Sequence, residues 1–262
     1  MEIKHYSAEK LVEDVIRIAE LAGETIMQVY RSTDFGVESK SDDSPLTIAD
    51  RASNDLLCKM LGNLTPGCPI ISEENELFSY EIRKDFKQYW LIDPLDGTKE
   101  FIKKNDEFAI NIAFMEDDMP IMGVVHVPAI KETYYACRQL GAWKVVDGMV
   151  SRLKAATFSM DETGLVIAVS LSHSNKETSE YVQQFKEPVI LAKGSALKMM
   201  MIAEGVVHLH PRFGGTMEWD TAAPQIIVEE AGGKVLQRNG QVLAYNKESL
   251  RNPDYVVYGK LI

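Results

Sequence analysis

Three features are scarce in this chain of 262 residues: cysteine, positive charge and long apolar runs. Cysteine occurs only at Cys58, Cys68 and Cys137, with no C-x-x-C pair and no neighbouring Cys/His cluster. Three dispersed thiols argue against a disulfide framework or a zinc site and fit a reducing compartment. Lys and Arg number 28 against 39 Asp and Glu, a formal net charge of −11. Broad nucleic-acid surfaces are built on basic patches, so no nucleic-acid partner is expected. A small phosphorylated ligand remains open, provided bound cations or a few placed Lys and Arg meet its charge. No stretch approaches the roughly 18 apolar residues of a membrane span, so stable membrane insertion is not expected. Residues 1–10 are polar and lack the apolar segment of a signal peptide. The expectation is a cytoplasmic protein; peripheral contact with the inner membrane face stays open, although no basic amphipathic segment argues for it.

What is present is ordinary globular composition, 45% hydrophobic and 26% charged. Leu11, Val15, Ile18, Ala22, Ile26 and Val29, following Ser7 as a candidate N-cap, predict a long amphipathic helix. A second helix is predicted from Thr47 to about Leu61, with Ala49, Leu56, Leu57 and Met60 toward the core. Asp50 falls in its first turn, where the helix dipole alone would account for a carboxylate. Residues 108–114, 121–127 and 133–136 read as a meander, and Asp147-Gly148 as the turn of a further hairpin. The polar stretch 151–163 suggests an N-terminal half, 1–155, and a C-terminal half, 156–262. In the second half, strands are predicted over 165–169, 188–191 and 206–210, and helical segments over 181–185, 193–204 and 220–231. Asn239-Gly240 between alternating apolar residues predicts a hairpin over 234–243.

One stretch stands out: Trp90-Leu91-Ile92-Asp93-Pro94-Leu95-Asp96-Gly97-Thr98. It reads as a buried strand stopping at a tight turn, with two carboxylates able to converge, a glycine permitting close approach and a hydroxyl at a helix start. Carboxylates on a rigid strand end suit a hard cation such as Mg²⁺. Taken alone, the same residues also fit an ordinary strand and β-turn. The segment 69–74 repeats the pattern, ending in Glu73 and Glu74, and two such strands can present carboxylates at one sheet edge. Open α/β sheets bind ligands at that edge.

Three segments thus follow in order: Ile71-Ser72-Glu73-Glu74, the stretch from Trp90 to Thr98, and Glu218-Trp219-Asp220-Thr221-Ala222-Ala223. Together they resemble the lithium-sensitive, Mg²⁺-dependent inositol monophosphatase-like family, from the first helix to the last predicted hairpin. The resemblance implies an α+β fold, a five-layered αβαβα sandwich with the active site between its halves. It also implies Glu73, Asp93, the Leu95 carbonyl, Asp96 and Asp220 as ligands of two or three Mg²⁺ ions. Asp50 and Thr98 resemble the pair that activates the attacking water. Gly97 and Thr98 could offer backbone N–H groups to a phosphate.

Ser170 to Ser174, Gly194 to Lys198 and Pro211 to Gly214 look like the branch of that family acting on nucleoside 3′(2′),5′-bisphosphates. There the metals take the phosphate being cleaved, and the 5′-phosphate needs other cations. Lys198 and Arg212 are the candidates, with Ser195 as a neutral donor and His173 stacking on or hydrogen-bonding the adenine. Adenosine 3′,5′-bisphosphate is the expected substrate and phosphoadenylyl sulfate a further one. An inositol or sugar monophosphatase is the competing enzymatic reading, and a metal-dependent nucleotide sensor the non-catalytic one. A monomer and a homodimer are both compatible with the sequence.

Overall fold

The computed structural model describes residues 8–32, 35–39, 45–171 and 175–262. Ser7, His173 and most of the polar loop after residue 40 therefore lie outside the described residues. The first apolar stripe forms α1 (Ala8–Tyr30), burying Leu11, Val15, Ile18, Ala22 and Ile26. A small ladder of β1 (Glu38–Ser39) and β2 (Pro45–Leu46) leads into α2 (Ile48–Leu64). A seven-stranded sheet follows in simple spatial order: β3 (Ile70–Ser72), β4 (Gln88–Asp96), β5 (Ala109–Glu116), β6 (Met119–Val127), β7 (Glu132–Cys137), β8 (Gly141–Val146) and β9 (Met149–Arg152). Only β3 and β4 in it run parallel; every later pair is antiparallel. Short helices α3 (Tyr80–Arg83) and α4 (Thr98–Ile102) flank β4 in the chain.

β10 (Thr157–Phe158) leads into the second part of the chain. β11 (Val166–Ser170), β12 (Val189–Lys193), β13 (Leu209–Arg212), β14 (Lys234–Gln237) and β15 (Tyr255–Tyr258) form a five-stranded sheet in the order β12-β11-β13-β15-β14. Three helices belong to this part: α5 (Lys176–Val182), α6 (Leu197–Ala203) and α7 (Glu218–Glu230). β16 (Lys260–Leu261) pairs back onto β10.

Side-chain alternation sets the layers. Trp90, Ile92, Ile110, Ile112 and Val124 leave one face of the large sheet and pack with α1 and α2. Tyr89, Leu91, Ala113, Val125 and Tyr134 leave the other face and pack with α6 and α7. The same central core takes Ala168, Val235 and Val257 from the small sheet. The far face of that sheet packs Ile167, Leu209 and Val256 against Val182 of α5. The result is the expected order helix, sheet, helix, sheet, helix.

Four local expectations are corrected. The helix around 181–185 ends at Val182, and residues 183–185 turn back toward β12. The strand expected over 206–210 is Leu209–Arg212, because Gly205 (φ +77°) redirects the chain and Val206 remains exposed. Leu56 and Met60 are only half-buried; the inward face of α2 carries Asp50, Ser53 and Asn54 as well as Ala49 and Leu57. The turn at Asn239-Gly240 forms, but its second arm keeps only the Leu236–Val242 bridge, while β14 pairs with β15. Leu243, Tyr245 and Leu250 are drawn into the central core instead. Burial of those side chains outweighs a two-stranded hairpin, which is marginal on its own.

His126 on β6 is the one described histidine tucked beneath α1: a Cβ on Gly23 would stand 2.6 Å from its Nε2. Its Nδ1 lies 2.8 Å from the Thr133 hydroxyl, and burial pushes its pKa down to about 4. The neutral ring is favoured on folding, so its contribution is complete above the unfolded pKa of about 6.5 and is lost as pH falls toward 4. Urea melts between pH 7.5 and 4 should therefore show up to about 3 kcal/mol of acid-dependent loss from this residue. His126→Gln should flatten that part of the slope; an unchanged slope would count against the assignment.

Candidate metal and phosphate site

The site is built around a bulge in β4. Asp93 pairs with Asn111 of β5 and Asp96 with Ala109, so three steps on one strand match two on the other. Residues three apart in a regular strand face opposite ways. The extra residue at Pro94-Leu95 brings both carboxylates to one face, the face that Leu91 shares toward the central helical layer. Proline cannot donate to a ladder, and a bulge is one of the few places where a strand accepts it. Gly97 then takes φ +97°, and a Cβ there would stand 2.9 Å from the Glu107 carbonyl. Beside β4, Ser72 of β3 pairs with Ile92 in parallel register, so Glu73 emerges next to Asp93. Asp220 enters on the first turn of α7. Carboxylate oxygens of Glu73, Asp93 and Asp220 lie within 4.8 Å of one another.

A backbone amide fixes one oxygen of each aspartate. Thr47 N donates to Asp50 Oδ2 (2.7 Å), Leu95 N to Asp93 Oδ1 (3.0 Å), Ala196 N to Asp96 Oδ2 (2.7 Å) and Met217 N to Asp220 Oδ2 (2.7 Å). Asp50 and Asp220 do this as helix caps, each at the third position of its own helix. The second oxygens of Asp93, Asp96 and Asp220 make no hydrogen bond among the described residues. Among the described residues no Lys or Arg forms an ion pair with these three. Burial raises the pKa of Asp93 well above the carboxylate range, and Glu73, Asp96 and Asp220 push it further. Asp220 is raised by burial, then by Asp96 and Glu73. Buried like charges of this kind need a compensating cation. An all-oxygen set with uncommitted lone pairs fits Mg²⁺.

Asp50 and Thr98 meet at the mouth of α4: Thr98 Oγ1 donates to Asp50 Oδ1 at 3.1 Å, with the Leu95 carbonyl at 3.3 Å. Both lie beside the bulge, where Ser53 Oγ of α2 also holds the Pro94 carbonyl at 2.8 Å. Asp96 stands just outside the tight acidic trio. Its Oδ2 accepts from Ser195 Oγ at 2.7 Å and from Asn111 Nδ2 at 3.4 Å, as well as from Ala196 N.

Of the expected nucleotide contacts, Ser195, Lys198 and Arg212 fall in the same cavity of about 260 Å³, which Glu73, Asp93, Asp96 and Asp220 also line. Ser195 spends its hydroxyl on Asp96 rather than presenting it outward. Lys198 is buried, with Nζ on the carbonyls of Lys193 (3.1 Å) and Ser195 (2.7 Å). Burial lowers its pKa to about 8, against the raising effect of Asp96. Arg212 Nη1 donates to Ser170 Oγ (2.9 Å) and Nη2 to the Gly215 carbonyl (3.2 Å), while its buried Nε has no partner among the described residues. His173 lies outside the described residues.

Several supporting residues escaped the sequence reading. Glu107 takes Gly194 N (2.7 Å) and Lys193 Nζ (2.8 Å), fastening the loop before α6 onto the first half of the chain. Ser72 Oγ donates to Asn54 Oδ1 at 2.7 Å, and Asn54 Nδ2 to Asn75 at 2.8 Å, which steadies the turn carrying Glu73. His210, fully buried on β13, also lines the cavity. Only the Thr47-x-x-Asp50 spacing carried a local signal, that of a capping box.

Five such layers around a buried acidic centre place the chain in a defined class. Residues 8–261 match the inositol monophosphatase family, and the chain belongs to that family. Similar relatives include the 3′(2′),5′-bisphosphate nucleotidase CysQ of Salmonella typhimurium, 41% identical over 94% of this chain and 99% of that protein. The CysQ of Buchnera aphidicola is 41% identical over 92% of this chain and 89% of its own length. Among solved structures, CysQ from Bacteroides thetaiotaomicron, a bacterial member of the same family, has a TM-score of 0.82 at 37% identity, covering 95% of this chain and 96% of that one.

Ser195→Ala tests whether that hydroxyl serves the carboxylate or the substrate. Removing a partner of a ligating carboxylate typically costs about 10-fold or more in metal affinity. The Mg²⁺ concentration for half-maximal activity should therefore rise about 10-fold while KM for the phosphate ester changes little. A KM effect without a Mg²⁺ effect would return Ser195 to the substrate.

Proposed function

We propose that the protein hydrolyses the 3′-phosphate of adenosine 3′,5′-bisphosphate, releasing AMP and inorganic phosphate, and acts likewise on phosphoadenylyl sulfate. The observation that carries this reading is one cavity holding both an acidic cation centre and a separate basic pair, Lys198 and Arg212. One phosphate belongs at the first and the other at the second. An inositol ring offers only hydroxyls at its far end and leaves Arg212 without a use. Clearing a by-product of sulfate assimilation is the cellular role that follows. Three free thiols suit a reducing cytoplasm, and no described helix is long and apolar enough to cross a membrane.

Glu73, Asp93, the Leu95 carbonyl, Asp96 and Asp220 would hold two or three Mg²⁺ ions, which when bound neutralise the phosphoryl oxygens and ease both attack and departure. The chain's own residues supply the proton handling. Thr98 points its hydroxyl hydrogen at Asp50, which leaves a lone pair of Thr98 Oγ1 to receive a proton from water as that hydrogen passes to Asp50. Thr47 holds the other Asp50 oxygen with its N–H and with its hydroxyl at 2.6 Å, so the acceptor cannot rotate away. Gly97 and Thr98 line the same cavity, where their backbone N–H groups could serve a phosphate.

Asp50→Asn keeps an acceptor for the helix cap but removes the proton acceptor. Turnover should fall at least about 100-fold, the usual scale of general-base loss, with the melting temperature within a few degrees of wild type; undiminished turnover would remove Asp50 from the mechanism. Substrate class is read by comparing phosphate release from adenosine 3′,5′-bisphosphate and from inositol 1-phosphate in Mg²⁺. The nucleotide should be preferred by about 100-fold or more in kcat/KM, as expected when a basic pair is left unused by the competitor. Preference for the inositol ester would overturn the nucleotide reading.

A further inference from the structure

The basic wall of the cavity holds one residue that is not a cation. His210 precedes Arg212 by two positions on β13, so both side chains share one face of the small sheet. Both line the cavity together with Lys198. The Nδ1 of His210 lies 2.9 Å from the Ala168 carbonyl. A carbonyl oxygen only accepts, so Nδ1 carries the ring proton, and Nε2 of the neutral ring is left as an acceptor. Burial keeps the ring neutral, with the charge on Lys198 acting in the same direction. Nε2 makes no hydrogen bond to a described residue and is not one of the polar atoms sealed in the interior without a partner.

We propose that His210 is a specificity residue whose Nε2 accepts a hydrogen bond from an uncharged donor on the substrate, a ribose hydroxyl or a base amino group. The inference rests on the nucleotide reading above. Lys198 and Arg212 attract any compact second anion, so by themselves they cannot separate a nucleotide bisphosphate from pyrophosphate or a sugar bisphosphate. A fixed lone pair beside them repels a phosphate dianion and favours a neutral N–H or O–H set next to one. A ligand that fills the cavity without such a donor leaves that lone pair buried and unmatched, and sites of this design reject such analogues strongly.

The test compares adenosine 3′,5′-bisphosphate with its 2′-deoxy analogue, which lacks the ribose donor, and with inosine 3′,5′-bisphosphate, which lacks the 6-amino group. The wild-type enzyme should disfavour one of the two analogues by about 10- to 100-fold in kcat/KM. His210→Phe should lose that discrimination to within about twofold, chiefly by losing activity on the parent nucleotide. Which analogue is affected names the donor. A wild type that accepts both analogues equally, or a folded His210→Phe that still discriminates, overturns the proposal. A second measurement needs no variant: ring nitrogen-15 shifts should report an unprotonated Nε2 in the free enzyme that moves on binding the parent nucleotide and not the discriminated analogue. A protonated Nε2 in the free enzyme also overturns it. Failure of the nucleotide reading would look different, since the wild type would then prefer inositol 1-phosphate.

Discussion

Several aspartates can be packed into one buried corner here because a peptide N–H holds an oxygen of each. Ionised carboxylates removed from water are costly unless hydrogen-bonded or paired. For Asp50, Asp93 and Asp220 the local backbone meets part of that cost, and for Asp96 the distant Ala196 amide does. Each amide also fixes the rotation of its carboxylate, so the remaining oxygen is aimed before any ligand arrives. Two of the four amides are the N-cap groups of α2 and α7, which a helix must satisfy in any case. Helix capping and site construction are the same contacts.

The second constraint is the joint between the large sheet and the loop before α6. Asp96 belongs to β4, but two of its partners, Ser195 and Ala196, come from the loop before α6. Glu107 returns the grip by holding Gly194 of that loop and Lys193 at the end of β12. The basic wall is thereby set at a fixed distance from the acidic one, as a substrate with two phosphates requires. α7 adds rigidity by packing in the core common to both sheets while its first turn supplies Asp220.

Much of this was legible in the sequence, and the reasons differ by residue. The meander and the long helices follow from apolar periodicity, because whole faces are buried, whereas the layer order was legible only through the family resemblance. Asp93, Asp96, Glu73 and Asp220 were legible as a set since each sits in a short motif next to its strand or helix end. The bulge that turns Asp93 and Asp96 to one side was not, because register is a property of the partner strand β5. Glu107, Asn54 and His210 carry no local mark: their roles arise from contacts with distant residues. Ser195 was read as a neutral donor to the second phosphate; its contact with Asp96, 99 residues away, has no local mark either. The Asn239-Gly240 hairpin misled for a related reason. A strong local turn signal was kept, and its second arm was surrendered to the central core.

The acidic corner gathers Glu73 from the end of β3, residues 93 and 96 from β4 and residue 220 from α7. Contacts so distant in sequence form late, after the intervening chain has collapsed and its loops have closed. No fragment of the chain holds the full ligand set. A cation that requires the set binds the finished fold and ignores everything before it, and such binding stabilises by mass action, about 2.7 kcal/mol at a hundredfold excess over Kd. Magnesium bound by that set would therefore act as a completion check, drawing fully assembled molecules out of the partly folded population and leaving truncated ones behind.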